Sequence, residues 1–337
     1  MATRAVDDLE MLRDAVTRAV AVAPVGGRTH WEVGGPPPSD CVEARAPAGI
    51  VAYDPAELTV TVRAGTTVGE LGAVLGEAGQ ECVLDPRHPA EATVGGTLAA
   101  GLSGHRRLRY GPVRDRVLEV RFVSADGRAV KGGGPTVKNV SGYDLPRLLV
   151  GSLGTIGVIT QVTLRCQPRP LQAVWARAQG DPFDVRRRCF RPSCVAWDGR
   201  HTRVLVEGHP DDVAAELAAG TLTPADGPPA WPSGIHRGRI SVRPRQVHAL
   251  AADLDRIDGL RWLAEVGVGT VHVAGDDGEA LAAARQAAHG AGGWLLREAG
   301  GAGIDGFGRD LPNRTVMARL KAAFDPTGKL SPGRLPR

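Results

Sequence analysis

The sequence predicts an α+β protein with two domains. The chain has 337 residues, which is long for one ordinary domain and suits two. Short segments with strand-like alternation are interspersed with helical segments along the chain. The prolines of "QPRPLQ", at 168 and 170, mark a change in character. We therefore expect a first domain over 1–170, a smaller α+β domain over 171–310, and a C-terminal helix and tail over 311–337.

Strand and helix signals are clearest in the first domain. Residues 4–22 have the pattern of an amphipathic helix. "LTVTVRAG" (58–65) alternates as a strand, and "TVGELGAVLGEAG" (67–79) reads as a helix with Thr67 as N-cap. "VLEVRFVSADGRAV" (117–130) predicts a hairpin around "ADG". "GVITQVTLRC" (157–166) predicts a further strand.

The second half has weaker signals. Alanine-rich helices ("DDVAAELAAG", "DDGEALAAARQAAHG") alternate with short strands such as "RISVRP", "RWLAEV" and "TVHVAG". The last helix should stop at Asp325-Pro326, because proline cannot continue a helix.

Composition excludes several classes of protein. The net charge is only +4 and no basic run stands out, so we do not expect nucleic-acid binding. The five cysteines are odd in number and scattered, which predicts reduced thiols rather than disulfides, metal ligands or iron–sulfur ligands. No signal peptide or membrane span is apparent. We expect a cytoplasmic protein that reaches the inner membrane only through partners.

Four glycine-rich segments are the main functional signal, and they cover 25–35, 92–104, 137–145 and 151–159. Glycine lets a ligand approach the backbone closely, and successive amide groups in such turns bind anions such as a pyrophosphate. The alternative is that these glycines only allow close packing of a compact sheet.

Two common nucleotide motifs do not explain the glycines. "GAGIDG" (301–306) matches G-x-G-x-x-G, but no helix follows at once and 31 residues remain, too few for a βαβ unit. The sequence contains no phosphate-binding loop of the G-x-x-x-x-G-K-[ST] type.

The ordered segments resemble a known flavoprotein family. "PVGGRT", then "EATVGGTLAAGLSGHRRLRYGPVRDRVLEVRFVSADG", then "VKNVSGYDLPRLLVGSLGTIGVITQVTL" are similar to the FAD-binding domain of the vanillyl-alcohol-oxidase/PCMH family. Within it, they resemble the FAD-binding subunits of bacterial glycolate oxidases. The match covers 20–170, and "LKAAFDPTGKLSPGR" (320–334) resembles the closing helix and tail, with Ser331 where asparagine is usual. The middle, 171–310, matches loosely.

The resemblance implies a two-subdomain PCMH-type FAD-binding domain, a smaller α+β cap, and a C-terminal segment that returns to the FAD domain. It also implies a set of residues that bind FAD. These are Gly26, Gly27, Arg28, Thr29, His30, Thr93, Val94, Gly95, Gly96, Ala99, Ala100, Gly101, Ser103, Gly104, Tyr110, Gly111, Arg114, Asp115, Lys138, Asn139, Gly142, Tyr143, Asp144, Gly154, Gly157, Val158 and Ile159. A structural salt bridge is the alternative role for Lys138.

The sequence leaves the catalytic residues unknown. His30 lies near the position where some members bind FAD covalently, but its surroundings differ, so we expect non-covalent FAD. The family's usual substrate base and anion-binding arginine are not recognisable in the cap. His272 is interpreted as a core histidine, with a position facing the flavin as the alternative.

An arginine cluster in the first domain has three interpretations. Its members, which are Arg106, Arg107, Arg109, Arg114 and Arg116, suit FAD phosphates, a carboxylate substrate or a partner subunit. A solvated surface is the alternative, above all for Arg106 and Arg107.

The resemblance implies a subunit of a glycolate oxidase complex that oxidises a small 2-hydroxy acid. A second FAD-containing subunit and an iron–sulfur subunit would be its partners, because this chain lacks the cysteines of a cluster. Two alternatives stay open: a stand-alone FAD oxidase or dehydrogenase of another hydroxy compound, and a non-catalytic FAD-binding subunit.

Overall fold

A computed structural model describes residues 2–134, 143–301, 303–308, 311 and 313–335. Lys138, Asn139 and Gly142 lie outside the described residues. The elements of the first domain are α1 (Ala2–Arg18), β1 (Val22–Pro24), β2 (Val42–Ala44), β3 (Ile50–Asp54), β4 (Thr59–Arg63), α2 (Val68–Glu77), β5 (Gln80–Glu81), α3 (Val94–Ala100), α4 (Arg107–Tyr110), β6 (Val117–Val123), β7 (Ala129–Gly133), α5 (Leu145–Leu149), β8 (Val158–Arg165) and β9 (Gln167–Pro168).

The first domain is organised around a five-stranded antiparallel sheet with the order β3-β4-β8-β6-β7. Its inner face packs Val62 and Leu164 against Leu71 and Leu75 of α2 and Leu98 of α3. A separate parallel pair, β1 and β2, packs beside α1. The central strand β8 is buried along almost its whole length, which fixes the position of the chain just before it.

The second domain contains a larger sheet. Its elements are β10 (Gln172–Ala178), α6 (Pro182–Arg188), β11 (Cys194–Trp197), β12 (Thr202–Gly208), α7 (Pro210–Ala219), β13 (Thr223–Pro224), β14 (His236–Ser241), α8 (Val247–Leu254), β15 (Arg261–Glu265), β16 (Thr270–Gly275), α9 (Gly278–Gly290) and β17 (Trp294–Ala299). The eight strands have the order β13-β10-β12-β11-β15-β16-β14-β17. Helices α8 and α9 pack Leu250, Leu254 and Leu281 onto one face. On the first domain's side, Leu296 packs with Val33, Leu102 and Leu153.

The structure confirms the predicted α+β class and most of the predicted elements. Thr67 caps α2 in a complete capping box with Glu70. The predicted hairpin is β6–β7, and the strand predicted over 157–166 is β8. Strand β17 precedes the "GAGIDG" stretch, and residues 303–308 form turns rather than a helix, so the Rossmann interpretation stays excluded. Helix α3 was not predicted, because glycine disfavours a helix interior and two glycines occupy its first turn.

The C-terminal segment contacts the first domain at several points. Helix α10 (Arg314–Phe324) ends at the predicted position, with Asp325 following it. The Asp325 carboxylate accepts hydrogen bonds from Lys321 and from the amides of Lys329 and Leu330. Lys321 also donates to the carbonyl of Thr155, just before β8. This network joins the closing helix to the loop that enters the central strand.

We expect Asp325→Asn to destabilise the protein. The carboxylate is 2% exposed, and Lys321 and the amides that bond to it hold its pKa below the usual value despite burial. Removing its charge leaves the Lys321 ammonium without its ionic partner, a loss of about 3 kcal/mol for a buried pair. Chemical denaturation at neutral pH measures the difference.

The depressed pKa also sets the pH dependence of this effect. The ionised Asp325 stabilises the fold above its unfolded-state pKa, and the contribution is lost as pH falls through the folded-state pKa. The difference in the free energy of unfolding between wild type and Asp325→Asn should therefore become smaller in acid. Equal free energies of unfolding at neutral pH would contradict the stabilising role given to the ionised Asp325.

Candidate functional site

A cleft in the first domain collects three of the four glycine-rich segments. Its walls are the loop after β1, the N-terminal part of α3, and the entrance to β8. Fourteen of the predicted FAD-binding residues line it: Gly26, Gly27, Arg28, Thr29, His30, Thr93, Gly95, Gly96, Ala99, Ala100, Gly154, Gly157, Val158 and Ile159. The fold therefore brings together segments that are up to about 130 residues apart, because β8 runs through the middle of the sheet.

The loop over 26–30 presents a row of free backbone donors. Among the described residues, no acceptor takes a hydrogen bond from any of its five amides, whereas the amides of Val25 and Trp31 on either side are bonded. Gly27 and Arg28 are exposed, but Gly26, Thr29 and His30 are half-buried, and half-buried amides normally find a partner. Consecutive free N–H groups form a concave donor set that suits phosphate oxygens.

The glycines of this cleft are required by contacts between its walls. A Cβ on Gly27 would lie 1.7 Å from the carbonyl oxygen of Glu91, and one on Gly26 would lie 2.1 Å from Oγ1 of Thr93. A Cβ on Gly95 would lie 2.7 Å from Cβ of Ala64. The missing side chains of these glycines thus leave room for the opposite wall of the cleft, as the packing alternative predicts. The glycines affect a ligand indirectly, because they allow the 26–30 loop to pack closely against the segment that leads into α3.

Two cations and a tryptophan form one end of the cleft. The guanidinium carbons of Arg28 and Arg334 lie 4.6 Å and 5.0 Å from the centre of the Trp31 ring. Arg334 is buried and donates to the carbonyls of Trp31 and Gly35. Burial lowers its pKa to about 10, so it stays charged at neutral pH. Sequence reasoning missed Trp31 and Arg334, although Arg334 ends the matched tail.

Other predicted residues lie away from the cleft. Val94 belongs to the hydrophobic core, and Gly101 ends α3 with φ of +66°. Gly111 approaches the Asp115 carboxylate, which pairs with Arg114 and Arg147 at the surface. Tyr143 is 92% exposed, and Asp144 caps α5. Tyr110 lines a surface groove. Ser103 and Gly104 line a second cavity.

That second cavity, here called the interdomain chamber, lies between the two domains and adjoins the cleft through His30. It is lined by His30, Asp85, Pro86, Arg87, Leu102, Ser103, Gly104, Trp231, Arg239, His272 and Glu298, and its volume is about 20 Å³. Burial lowers the pKa of His30, which favours the neutral imidazole. Loop residues of the first domain and residues of the second sheet therefore enclose a small polar space next to the cleft.

Arginine and histidine side chains dominate the chamber. Arg239 on β14 and His272 on β16 are directly paired across neighbouring strands, so their side chains share a face. The guanidinium Nη2 of Arg87 lies 3.0 Å from Nδ1 of His272 and 3.5 Å from the Glu298 carboxylate. Nε of Arg239 is buried and has no partner among the described residues. Such a cation favours a bound anion.

Glu265 completes a dyad with His272. Its Oε1 lies 3.6 Å from Nε2 of His272 and 3.6 Å from Nδ1 of His105, whose ring stacks on Trp231 at 4.0 Å. Burial opposes ionisation of Glu265, but the two imidazoles hold its pKa below the usual range. Burial lowers the pKa of His272, which is therefore neutral at neutral pH. The core interpretation of His272 is correct about burial, but the ring faces polar groups rather than an apolar core.

The predicted arginine cluster separates into distinct roles. Arg106 forms ion pairs with Glu81 at 2.7 Å, Asp85 at 2.6 Å and Glu207 at 3.5 Å, so the interpretation as a solvated surface is wrong for it. These pairs join the two domains, since Glu207 lies on β12. None of the five arginines lines the cleft.

The first domain matches a known family model. Residues 4–133 match the model described as an FAD binding domain. This part of the chain is therefore similar to an FAD binding domain, and the match supports FAD as the cofactor. The predicted family resemblance is confirmed by this match and by the relatives described next.

Curated relatives share the first domain. The chain is 39% identical over 172 residues to glycolate oxidase subunit GlcE of Escherichia coli, covering 51% of this chain and 49% of that protein. It is 35% identical over 169 residues to the mitochondrial D-lactate dehydrogenase [cytochrome] of Arabidopsis thaliana, covering 50% and 30%. It is 36% identical over 121 residues to glycolate oxidase subunit GlcD of Bacillus subtilis, covering 36% and 26%. The chain thus spans half or less of the length of these relatives.

Solved structures extend the likeness to both domains. Alkyldihydroxyacetonephosphate synthase, in one crystal form, has a TM-score of 0.70 with 16% identity, covering 96% of this chain and 73% of that one. A second crystal form has a TM-score of 0.69 with 15% identity, covering 95% and 74%. These similarities confirm the predicted PCMH-type fold with its cap. Within the described ranges, no helix has the length and apolar character needed to cross a membrane.

The cleft residues fit FAD. The free amides of the 26–30 loop suit a pyrophosphate, and the cations Arg28 and Arg334 stand at the same end. Small and aliphatic side chains such as Ala99, Val158 and Ile159 supply the apolar lining that a flat ring system needs.

We expect Gly27→Ala to weaken FAD binding at least about tenfold, since the new methyl group must push the loop off Glu91 by more than an ångström. The matched control is Gly72→Ala on α2, where nothing lies within 4 Å of the added Cβ. This control should keep its FAD affinity and gain slight helix stability. Titration of the apoprotein with FAD, followed by flavin fluorescence, compares the two. Equal affinities would contradict the role given to the loop.

Proposed function

We propose that this chain is the FAD-binding subunit of a glycolate-oxidase-type complex, oxidising glycolate to glyoxylate and passing electrons to partner subunits. The observation that carries the proposal is the interdomain chamber. In it, Arg239, whose buried Nε has no partner among the described residues, and His272 with Glu265 beside it adjoin the cofactor cleft. The similarity to GlcE and GlcD supports the same substrate class.

The size of the chamber favours a very small substrate. Its volume of about 20 Å³ is on the scale of one or two water molecules. Glycolate has only hydrogen where larger 2-hydroxy acids carry a side chain. Glycolate itself has five non-hydrogen atoms, so lining side chains must move for any 2-hydroxy acid to enter. Lactate and hydroxyglutarate would displace side chains such as Leu102 or Trp231 further than glycolate does, so they fit this space less well.

Arg239 and Arg87 are proposed to bind the substrate carboxylate. Both guanidinium groups reach the chamber, and a guanidinium binds a carboxylate through two parallel hydrogen bonds. The unpaired Nε of Arg239 gives it a free donor. Arg87 already contacts the Glu298 carboxylate, and a substrate carboxylate would compete for that donor.

His272 is proposed to accept the proton of the substrate hydroxyl. Arginine only donates, so Nδ1 of His272 accepts from Arg87, and the imidazole hydrogen resides on Nε2. Nε2 lies 3.6 Å from the Glu265 carboxylate, beyond hydrogen-bond distance but close enough for an electrostatic interaction. When Arg87 turns to the substrate carboxylate, Nδ1 becomes free to take a proton. Glu265 stabilises the imidazolium that results, as a carboxylate does in other histidine dyads. Bound FAD supplies the acceptor for the hydride that leaves the substrate carbon.

Partner subunits are proposed because the reducing equivalents must leave the chain. No group of three or more potential ligands in the described parts of the chain is arranged to hold a metal ion. A second FAD-containing subunit and an iron–sulfur subunit would continue the electron path. Any association with the inner membrane would be made by those partners.

The chamber argues against one of the two alternatives, a non-catalytic FAD-binding subunit. A purely structural FAD-binding subunit has no need for a buried arginine such as Arg239, whose Nε has no partner among the described residues, because its burial costs desolvation energy. A stand-alone oxidase would need the same residues, so only the fate of the electrons separates it from the proposal.

Anaerobic reduction of the bound flavin tests the proposal. We expect glycolate to bleach the flavin absorbance faster than lactate or 2-hydroxyglutarate. His272→Gln should slow bleaching by about 10²–10⁴-fold, because it removes the proton acceptor. Arg239→Met should mainly weaken glycolate binding. His201→Gln, an exposed histidine paired with Asp198, is the matched control and should react as wild type.

The pH dependence provides a second readout. Burial places the pKa of His272 below its usual value of 6.5, so the reduction rate should be constant near neutral pH and fall in more acidic solution. His272→Gln should lose that acidic limb. If glycolate does not bleach the flavin, even with partner subunits present, the proposal that this site oxidises glycolate is wrong.

A further inference from the structure

An open groove on the surface, here called the arginine groove, lies where the first domain connects to the second. It is about 520 Å³ in volume and follows β9 and the connection to β10. Five arginines line it: Arg109, Arg116, Arg165, Arg169 and Arg191. Arg165, Arg169 and Arg191 are exposed, whereas Arg116 forms the floor and is 7% exposed. The groove is separate from both the cleft and the chamber.

The groove lacks compensating negative charge. No aspartate or glutamate is among its lining residues, and none of its five arginines forms an ion pair with a described carboxylate. Arg106 at the start of α4 is the contrast, since it has three carboxylate partners. The chain's net charge of +4 is small, so this concentration of cations is local.

Arg116 gives the strongest indication that the groove suits an anion. It donates to the carbonyl of Tyr110 at 2.8 Å and to the side chain of Gln167 at 3.3 Å, both of them neutral groups. Its Nε is buried without a partner. Burial, together with the nearby charge of Arg165, lowers its pKa. The neighbouring Asp115 charge acts on Arg116 in the opposite direction, but no described carboxylate forms an ion pair with Arg116. A carboxylate bound in the groove would therefore stabilise this guanidinium.

We propose that the arginine groove binds an acidic segment of a partner protein, with carboxylates placed on Arg116, Arg165 and Arg169. An open groove with a protruding apolar residue suits a protein surface, because Leu171 lines it and is 77% exposed. Arginine and apolar anchors are enriched in protein interfaces. Nucleic acid is disfavoured, since the lining residues offer only the half-buried Tyr110 and the imidazole of His209 for base stacking.

The inference rests on the proposed function only for the identity of the partner. The groove lies outside the FAD site, so its anion binding is measurable on the FAD-loaded chain by itself. Flavin reduction and groove binding can therefore fail independently.

Binding of fluorescein-labelled octaglutamate, measured by anisotropy on the full FAD-loaded chain, tests the proposal. We expect Arg165→Glu with Arg169→Glu to weaken binding at least about tenfold, because two attractive contacts become repulsive. The control is Arg200→Glu with Arg245→Glu, which changes the net charge equally at two exposed, unpaired arginines outside the groove. Its affinity should stay within about twofold of wild type. All variants should keep their flavin content, which confirms folding.

Other outcomes would overturn the proposal. If octaglutamate does not bind at low salt, or if the control pair weakens binding as much as the groove pair, the groove is not the site. If a single-stranded oligonucleotide or polyphosphate binds there and octaglutamate does not, the groove takes a phosphate polymer rather than an acidic protein segment.

Discussion

The structure depends on the close approach of the loop over 26–30 to the segment that leads into α3. Gly27 leaves no room for a side chain against the Glu91 carbonyl, and Gly26 leaves none against Thr93. This contact fixes the loop so that its amides remain free of acceptors within the described chain. A rigid row of donors loses little entropy when it binds a pyrophosphate, which is how a packing constraint becomes a cofactor site. The Asp325–Lys321 network acts in the same direction, since it holds the β8 entrance that closes the other wall.

The interdomain chamber depends on both domains at once. The first domain contributes His30 and Arg87, whereas Arg239, His272 and Glu298 come from the second sheet. The ion pairs of Arg106 with Asp85 and Glu207 fasten the two domains beside it. Because neither domain contains the full set of polar groups, the cap's position relative to the FAD domain determines whether a proton acceptor stands next to the cofactor cleft. The arginine groove borders the connection between the same two domains.

Sequence reasoning was most successful where the signal is local. Thr67 with Glu70, the "ADG" hairpin and the alternation of β8 each depend on a few neighbouring residues, and the structure confirms all three. The glycine-rich segments and the ordered family motifs were sufficient for FAD. The chamber was missed because Arg239 and His272 are 33 residues apart and meet only through strand pairing. Arg106 was misjudged because its carboxylate partners come from two distant segments, around 81–85 and at Glu207. Helix α3 was missed because capping and tertiary packing outweigh the low helix propensity of its glycines.

The most direct test of the central claim is the visible spectrum of the purified chain, followed by acid precipitation and identification of any released flavin. Non-covalent FAD held by the cleft predicts oxidised-flavin bands in the native protein and FAD in the supernatant after precipitation. Flavin that stays with the precipitate would indicate a covalent bond and would point to His30, the histidine of the first loop. A colourless protein that takes up no added FAD would contradict the reading of the free amides over 26–30 as a pyrophosphate site.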